Sequence, residues 1–226
     1  TTFLVTANEG DEKEYTGFTE RVAVGAGAYT LDATNFPNAS VLKQNHNLGR
    51  FRVTNLNGNT DADAQFETIH CLGTRSFSIF NTSTKQIVFD SGDDFERYTA
   101  ANLPTLFNAD HENNTPKGRS RAKGPEPEGV TIAQIATETF AFVSLERVGG
   151  VMVYNITNPN NPVFVDYKNS RSTSAYSGDH GPEGITYIAP ANSATAKGYV
   201  LVANEISGTI TIYEVDENTL SSSDFN

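Results

Sequence analysis

The stretch Gly-Pro-Glu-Pro-Glu-Gly-Val at residues 124–130 returns later in the chain as Gly-Pro-Glu-Gly-Ile at residues 181–185. Each copy is followed by an apolar run that ends in a glutamate, Glu146 after the first copy and Glu205 after the second. The Glu-Gly pairs are 55 residues apart, and the two terminal glutamates are 59 residues apart. A repeat of about 40–60 residues that contains about four strands is typical of a β-propeller blade.

The beginning of the chain carries a third copy of this strand end, Leu-Val-Thr-Ala-Asn-Glu at residues 4–9. About four repeats of this length fit into the 226 residues, which is at the lower end of the blade numbers that close a propeller. We therefore predict an all-β chain of four-stranded antiparallel blades. It would form about four blades of a partial propeller, or a small propeller closed by strands from both termini. The propeller domain is expected over residues 1–220, and residues 221–226 are expected to form a tail.

Short β-rich runs separated by Gly, Pro, Asn and Asp support this fold class, whereas a helical period of apolar residues is weak almost everywhere. Residues 93–108 are expected to hold a short helix that ends at the turn around Pro104, and residues 110–127 are expected to form a long polar loop. The predicted strands are 3–7, 51–54, 76–80, 86–89, 140–145, 151–156, 163–167, 199–203 and 209–215.

The composition argues against several classes of protein. Lysine and arginine number 16 against 27 aspartates and glutamates, and this net charge of −11 is unsuited to a nucleic-acid binder, which needs a basic face. The single cysteine, Cys71, allows neither an internal disulfide nor a cysteine-based zinc site, and we expect it to be buried in a strand. No apolar stretch approaches the roughly 20 residues that cross a bilayer as a helix.

The repeated glutamates are the first candidate site. Equivalent positions of successive blades lie around one axis, so Glu9, Glu146 and Glu205 are expected to converge, with Glu128 and Glu183 close by. Carboxylates that converge repel one another and need a cation or shared protons, and oxygen ligands without cysteine favour Ca²⁺, then Mg²⁺. The alternative is structural, with each glutamate accepting hydrogen bonds from backbone N–H groups of its own blade. The predicted ligands of this first metal site are Glu9, Asp11, Glu126, Glu128, Glu146, Glu183 and Glu205.

A second candidate calcium site is the acidic run at residues 57–67. Oxygen-bearing side chains alternate at Asn57, Asn59, Asp61 and Asp63, and the carboxylate of Glu67 follows. This alternation resembles a calcium loop of the EF-hand kind. The alternative is an acidic hairpin turn, because Asn-Gly is itself a strong turn signal.

Three basic residues are candidates for binding phosphate. Arg147 follows a repeat glutamate, while Arg121 and Lys123 lie in the loop that leads into the first Gly-Pro-Glu copy. Such residues next to bound cations would suit phosphoester hydrolysis, because both neutralise the charge that develops on phosphate. A calcium-dependent phosphatase that uses a metal-bound water is therefore the alternative function. Ordinary ion pairs with the many acids are the competing interpretation.

Four Asn-x-Ser/Thr sequences are candidate glycosylation sites, at Asn38, Asn81, Asn113 and Asn155. They favour a secreted protein, and a calcium site points in the same direction because calcium is abundant outside cells. We therefore expect an extracellular or cell-surface location.

Segments spread over almost the whole chain resemble the choice-of-anchor I proteins and follow one another in the same order as in members of that family. They are residues 4–11, 47–50, 73–79, 88–93, 123–130, 145–154 and 202–209. The family includes mesenchyme-specific cell-surface glycoproteins and secreted bacterial proteins described as alkaline phosphatases. The resemblance implies a propeller similar in style to the propeller phytases, in which calcium ions are held by carboxylates. It also implies that this chain corresponds to the C-terminal half of longer members.

The sequence thus predicts a secreted calcium-binding propeller glycoprotein of the cell surface or extracellular matrix, with a structural or binding role. A phytase-like or alkaline-phosphatase-like phosphoester hydrolase is the alternative. Because a partial propeller leaves strand edges open, the expected partners are the missing N-terminal half or further copies of the chain.

Overall fold

The computed structural model describes residues 1–61, 63–216 and 220, and the predicted tail at 221–226 lies outside the described residues. The described residues divide into two compact units. The first unit is drawn from Thr1–Glu9, Arg75–Arg119 and Gly124–Asn226. The second unit consists of Gly10–Thr74 and Ser120–Lys123.

Strands dominate both units, and helices are short. In chain order the elements are β1 (Phe3–Ala7), β2 (Glu14–Tyr15), β3 (Phe18–Thr19), β4 (Arg21–Ala23), α1 (Ala39–Leu42), β5 (Arg52–Thr54), β6 (Phe77–Asn81), β7 (Gln86–Asp90), α2 (Asp94–Asn102), β8 (Pro127–Ile135), β9 (Glu138–Leu145), β10 (Val151–Asn155), β11 (Val163–Lys168), β12 (Pro182–Ile188), a 3-10 helix (Pro190–Asn192), β13 (Gly198–Asn204) and β14 (Thr209–Val215).

Three antiparallel sheets make up the first unit. Their strand orders are β1-β6-β7, β11-β10-β9-β8 and β12-β13-β14. Consecutive strands lie side by side in the last two sheets, an arrangement that antiparallel pairing allows without a crossover.

The four-stranded sheet is covered on both faces. Along β9, the side chains of Ala141 and Val143 join a core that also contains Phe77 of β6. The alternate residues Phe140 and Phe142 point to the opposite face and join a core with Val200 and Val202 of β13. Burial on both faces explains why residues 140–143 are all apolar rather than alternating with polar residues.

The two copies of the repeat form the same local structure where each strand begins with Pro-Glu-Gly, at residues 127–129 of β8 and 182–184 of β12. In β8 the pairing register with β9 shifts between Pro127 and Val130, and in β12 the register with β13 shifts between Pro182 and Gly184. Each repeat glutamate therefore lies on a β-bulge at the start of its strand. Bulges bend a strand and redirect the side chains that they carry.

The second unit has short strands and a separate core. Its sheets are the two-stranded pairs β2-β3 and β4-β5, and its core contains Val24, Tyr29, Leu31, Val53 and Phe66. The expectation that Cys71 is buried is wrong, because Cys71 is exposed. It forms an isolated bridge with Val53 and lies outside the named strands.

The all-β fold class is confirmed, and the sheets are mostly antiparallel. All nine predicted strands are present within a few residues of their expected bounds, and the predicted helix at 93–108 is α2. The described strands form separate open sheets, with no closed barrel or propeller among them. Residues 103–126 form neither helix nor strand, so α2 leads into a long irregular segment before β8 begins.

No helix in the described part of the chain is both long enough and apolar enough to cross a membrane.

Candidate metal centre

The repeated strand ends are anchored in the same way in two of the sheets of the first unit. The backbone N–H of Glu146, just after β9, donates to the carbonyl of Glu126 at 2.8 Å. The backbone N–H of Glu205, just after β13, donates to the carbonyl of Gly181 at 2.7 Å. Each acceptor directly precedes the proline that begins the neighbouring strand. The repeat therefore places each strand-end glutamate next to a Pro-Glu-Gly bulge.

Glu128 lies among four other repeat glutamates. Burial raises the pKa of Glu128 most, and the negative charges of Glu146, Glu9, Glu183 and Glu205 also raise it, in that order; together they bring it to about 8. Like charges act in this way only at close range, because water and salt screen distant ones. The structure therefore brings these five predicted ligands together at the same ends of three sheets.

Three carboxylates are close enough to share an ion. One oxygen from each of Glu9, Glu126 and Glu146 lies within 4.8 Å of the other two. Two oxygens bound to one calcium ion at about 2.4 Å are at most about 4.8 Å apart, so this spacing fits a common cation. Glu126 is fully buried and Glu146 nearly so.

Two arginines already neutralise part of this charge. Arg147 Nε lies 3.0 Å from Oε2 of Glu126 and 3.1 Å from Oε2 of Glu146. Arg119 Nε donates to Oε1 of Glu126 at 3.1 Å. Burial opposes the charged form of Arg147, but Glu126 and Glu146 outweigh it and raise the pKa of the guanidinium above its ordinary value. Glu126 thus has a structural role as the buried anion that fixes both arginines.

The irregular segment before β8 adds residues that the sequence did not single out. His111 Nδ1 lies 2.8 Å from Oε1 of Glu146, and Asp110 Oδ1 lies 3.3 Å from Nη1 of Arg147. Arg171 is buried and donates to the backbone carbonyls of Arg147 at 2.7 Å and Asp110 at 2.8 Å. These contacts fix the segment against the carboxylates. They depend on tertiary contacts, and no local pattern at residues 110–111 signals them.

The remaining first-site candidate, Asp11, belongs to the second unit. It is exposed, and its Oδ1 accepts the N–H of Glu12 at 2.7 Å. Its role there is that of a turn residue whose side chain accepts a local backbone hydrogen bond.

The acidic loop of the second unit gathers three carboxylates. One oxygen from each of Asp61, Asp63 and Glu67 lies within 4.8 Å of the others. Glu67 Oε2 accepts hydrogen bonds from the backbone N–H of Thr60 at 2.5 Å and from its hydroxyl at 3.0 Å. Glu67 Oε1 is buried and has no hydrogen-bond partner among the described residues. A buried carboxylate oxygen without a partner is costly, and a cation would satisfy it.

The same loop is closed by backbone hydrogen bonds. The carbonyl of Gly58 accepts the N–H groups of Glu67 at 2.8 Å and Thr68 at 3.2 Å. The two predicted amide ligands on either side of this glycine, Asn57 and Asn59, are exposed. The loop therefore contains both elements of the sequence analysis, an Asn-Gly turn and a carboxylate cluster.

The three candidate phosphate ligands occur in different settings. Arg147 directs its donors to Glu126, Glu146 and Asp110. Lys123, in the second unit, donates from Nζ to the carbonyl of Gly10 at 2.7 Å. Arg121, also in the second unit, is exposed. Arg147 thus acts as a partner of carboxylates in the first unit.

The four candidate glycosylation sites differ in accessibility. Asn38 and Asn113 are exposed, and Asn81 is half-buried with its Oδ1 accepting the N–H of Ser83 at 2.9 Å. Asn155 is only 7% exposed, and its Nδ2 donates to Oε1 of Glu138 at 2.7 Å. Asn155 is therefore unsuited to carry a glycan in the folded chain.

Comparison with known proteins identifies a family and a curated relative. The choice-of-anchor I domain matches residues 1–159. Gigasin-3a of Magallana gigas is 26% identical over 184 residues, which are 74% of this chain and 64% of that protein. The chain thus spans less than two thirds of the length of that relative. No solved structure shows significant similarity to the chain.

Proposed function

This chain belongs to the choice-of-anchor I family, and that membership suggests an extracellular or cell-surface location. We propose that it is a secreted calcium-binding protein with a structural or binding role. The proposed calcium centre consists of Glu9, Glu126 and Glu146, with Glu128 beside them. Glu183 and Glu205 add negative charge around it.

The observation that carries this proposal is the convergence of carboxylates from three strand ends. Glu9 follows β1, Glu146 follows β9 and Glu205 follows β13, yet all three act on the same neighbour, Glu128. Arg119 and Arg147 offset two of the negative charges and leave an excess of carboxylates. A divalent cation is the simplest partner for that excess, because it removes the mutual repulsion at one point.

The ligand chemistry fits calcium. Ca²⁺ takes six to eight oxygen ligands in a flexible geometry, and each ionised carboxylate offers about four lone-pair positions. Glu126 and Glu146 can therefore bind an ion while they accept hydrogen bonds from Arg147. Glu128 would have to release its proton, so binding is expected to strengthen as the pH rises towards 8.

The acidic loop of the second unit is proposed as an independent calcium site. It is supported by the spacing of Asp61, Asp63 and Glu67 and by the buried oxygen Oε1 of Glu67 that lacks a partner among the described residues. Because Asp61 and Asp63 are exposed, this site is expected to bind more weakly than the buried one.

Thermal unfolding in the presence of calcium tests the proposal. A ligand at 100 times its dissociation constant stabilises the folded state by about 2.7 kcal/mol, so calcium should raise the melting temperature. Sodium chloride at equal ionic strength is the control for screening alone, and magnesium is the control for selectivity. Glu9→Gln combined with Glu146→Gln should remove most of the shift, whereas Glu112→Gln, at an exposed position, should retain it. An equal shift from calcium and from sodium chloride would reject the calcium centre.

We also propose that the three sheets of the first unit are propeller blades and that β1 accepts a further strand. On one side, the equivalent strands β9 and β13 pair with the strands that begin Pro-Glu-Gly, β8 and β12. On the other side they pair with β10 and β14, while β1 pairs only with β6 among the described strands. Leu4 of β1 is 53% exposed. An open edge with an exposed apolar residue is a ready template for pairing.

Sedimentation tests this second proposal. If β1 pairs with another copy, the chain should sediment as a dimer or larger species, and Val5→Pro should shift it to a monomer by removing a backbone donor. If β1 pairs with the remainder of a longer protein, that segment supplied in trans should form a one-to-one complex. A chain that stays monomeric and binds no such segment would contradict the proposal.

A further inference from the structure

Four of the nine arginines of this acidic chain line one open cavity in the second unit. The cavity has a volume of about 400 Å³, and the arginines are Arg21, Arg50, Arg52 and Arg121. We propose that this cavity binds a tetrahedral oxyanion, the phosphate or sulfate group of a larger molecule. The proposal is independent of calcium and concerns residues outside the carboxylate centre, the proposed calcium site formed by Glu9, Glu126 and Glu146 with Glu128 beside them.

Backbone contacts hold the arginine-bearing segments together. Strands β4 and β5 are paired, with Ala23 opposite Arg52 in the register. The backbone N–H of Arg52 donates to the carbonyl of Arg121 at 2.8 Å, which joins the segment at 120–123 to β5. Arginines that are 31 and 69 residues apart in sequence, Arg21–Arg52 and Arg52–Arg121, are thus brought to one place by the fold.

The cavity wall beside Arg50 is also closely packed. The N–H of Gly25 donates to the carbonyl of Gly49 at 2.8 Å. A Cβ atom on Gly49 would lie 2.2 Å from the carbonyl oxygen of Lys43, so only glycine fits there. Lys43 in turn donates from Nζ to the carbonyl of Tyr29 at 2.7 Å. The conformation of the loop that carries Arg50 is therefore fixed by contacts to backbone carbonyls and does not depend on the exposed side chain of Arg50.

The charge around the cavity is one-sided. No aspartate or glutamate is among the described residues that line it, although the chain carries 27 such residues. Arg21 is paired outside the lining with Glu12 and, at 3.2 Å, with Glu14. Arg50 and Arg121 are exposed and carry the positive charge towards solvent. Arg50, Arg52 and Arg121 thus add three guanidinium groups to that of Arg21 at one cavity of a chain with a net charge of −11.

Guanidinium chemistry specifies the ligand. The planar fork of arginine donates two parallel hydrogen bonds to adjacent oxygens, a geometry that matches phosphate and sulfate. Several arginines around one anion also favour a doubly charged group over a carboxylate. Because the cavity is open, the oxyanion is expected to belong to a phosphate ester or a sulfated sugar whose remainder lies outside.

Calorimetric titration in the presence of a calcium chelator tests the site. The probes are inorganic phosphate, inorganic sulfate and acetate, and the variant is the double change Arg50→Gln and Arg121→Gln. The control is Arg97→Gln, a change of the same kind at an exposed position on α2. The wild type and Arg97→Gln should bind phosphate and sulfate more tightly than acetate. The double variant should bind them at least about tenfold more weakly, the loss expected for one charge-assisted hydrogen bond.

Folding and ligand source are controlled separately. The urea midpoint of the double variant should equal that of the wild type, since both changed residues are exposed. If the fully folded double variant bound phosphate and sulfate as tightly as the wild type, the proposal would be overturned. Binding of acetate as tight as that of phosphate would overturn it as well. Titration with O-phosphoserine and with a sulfated monosaccharide then shows whether the oxyanion belongs to a phosphate ester or to a sulfated sugar. If neither bound to a protein preparation that calcium stabilises in a separate unfolding experiment, this site would be rejected while the calcium centre would be unaffected.

Discussion

In the first unit, Gly129 of β8 lies so close to β12 that a Cβ atom at this position would be 2.5 Å from the carbonyl oxygen of Glu183. It would also be 2.8 Å from the hydroxyl of Ser144. The starts of β8 and β12 therefore approach each other backbone to backbone, and this approach brings Glu128 next to Glu183. The glycine that follows the repeat glutamate is thus part of the geometry of the carboxylate centre.

Gly129→Ala should destabilise the fold by about 1–3 kcal/mol, because the added methyl group forces the two backbones apart. Urea unfolding measures the change. Gly184→Ala is the matched control in the second copy of the repeat, since a Cβ there would lie at an ordinary 3.5 Å from Cβ of Ala203. Equal effects of the two substitutions would show that the close approach of β8 and β12 is not the reason for the glycine.

Calcium-free stability should fall as the pH rises from about 4.5 to about 8. The pKa of Glu128 is raised from 4.5 to about 8, so in this interval the unfolded chain has lost a proton that the folded chain retains. Fewer protons bound in the unfolded state mean that stability decreases with pH. The difference between the stability curves of the wild type and Glu128→Gln isolates this group, and it should grow over that interval. A difference that does not change with pH would contradict the environment described for Glu128.

Removal of Arg147 should be strongly destabilising. Glu126 is fully buried and pairs with Arg147 and Arg119. Taking one partner from a buried pair typically costs about 3–5 kcal/mol, and because Arg119 remains as a partner of Glu126, the loss is expected near the lower end of that range. Chemical unfolding of Arg147→Gln measures the loss, and Arg97→Gln should stay within about 0.5 kcal/mol of the wild type as an exposed control. A loss of similar size in both variants would refute the structural role of Arg147.

The acidic loop of the second unit should bind calcium separately from the carboxylate centre. Asp61→Asn with Asp63→Asn should lower the number of calcium ions bound by one and leave the affinity of the tighter site unchanged. Equilibrium dialysis with radioactive calcium gives both quantities. Unchanged stoichiometry in this variant would leave the loop as an acidic turn stabilised by Thr60 and Gln65.

From the sequence repeat, the proximity of the glutamates could be predicted, but whether the sheets close into a propeller could not. Strands β9 and β13 could be aligned by their terminal glutamates, and the structure does bring Glu146 and Glu205 to one neighbour. The bulges that direct Glu128 and Glu183 follow from the Pro and Gly positions of the motif. Blade closure depends on long-range packing, which the repeat length alone does not determine.

Other features had no usable sequence signal. Strands β2, β3 and β4 are two or three residues long, too short to show a period of two. The pairing of Arg119 with Glu126 and of His111 with Glu146 arises in the irregular segment at 103–126, where neither helix nor strand fixes the spacing. The clustering of Arg50 with Arg121 likewise depends on one long-range backbone contact to Arg52.

The most direct test of the calcium centre is calorimetric titration with calcium near pH 7 in two buffers that differ in ionisation enthalpy. For the tighter site, the wild type should release about one proton per calcium ion as Glu128 loses its proton. Glu128→Gln should bind calcium more weakly and without that release, and Glu9→Gln with Glu146→Gln should lose the tighter site. Tight calcium binding that is unchanged in affinity and proton release in these variants would contradict the proposed centre, as would the absence of any calcium binding by the wild type.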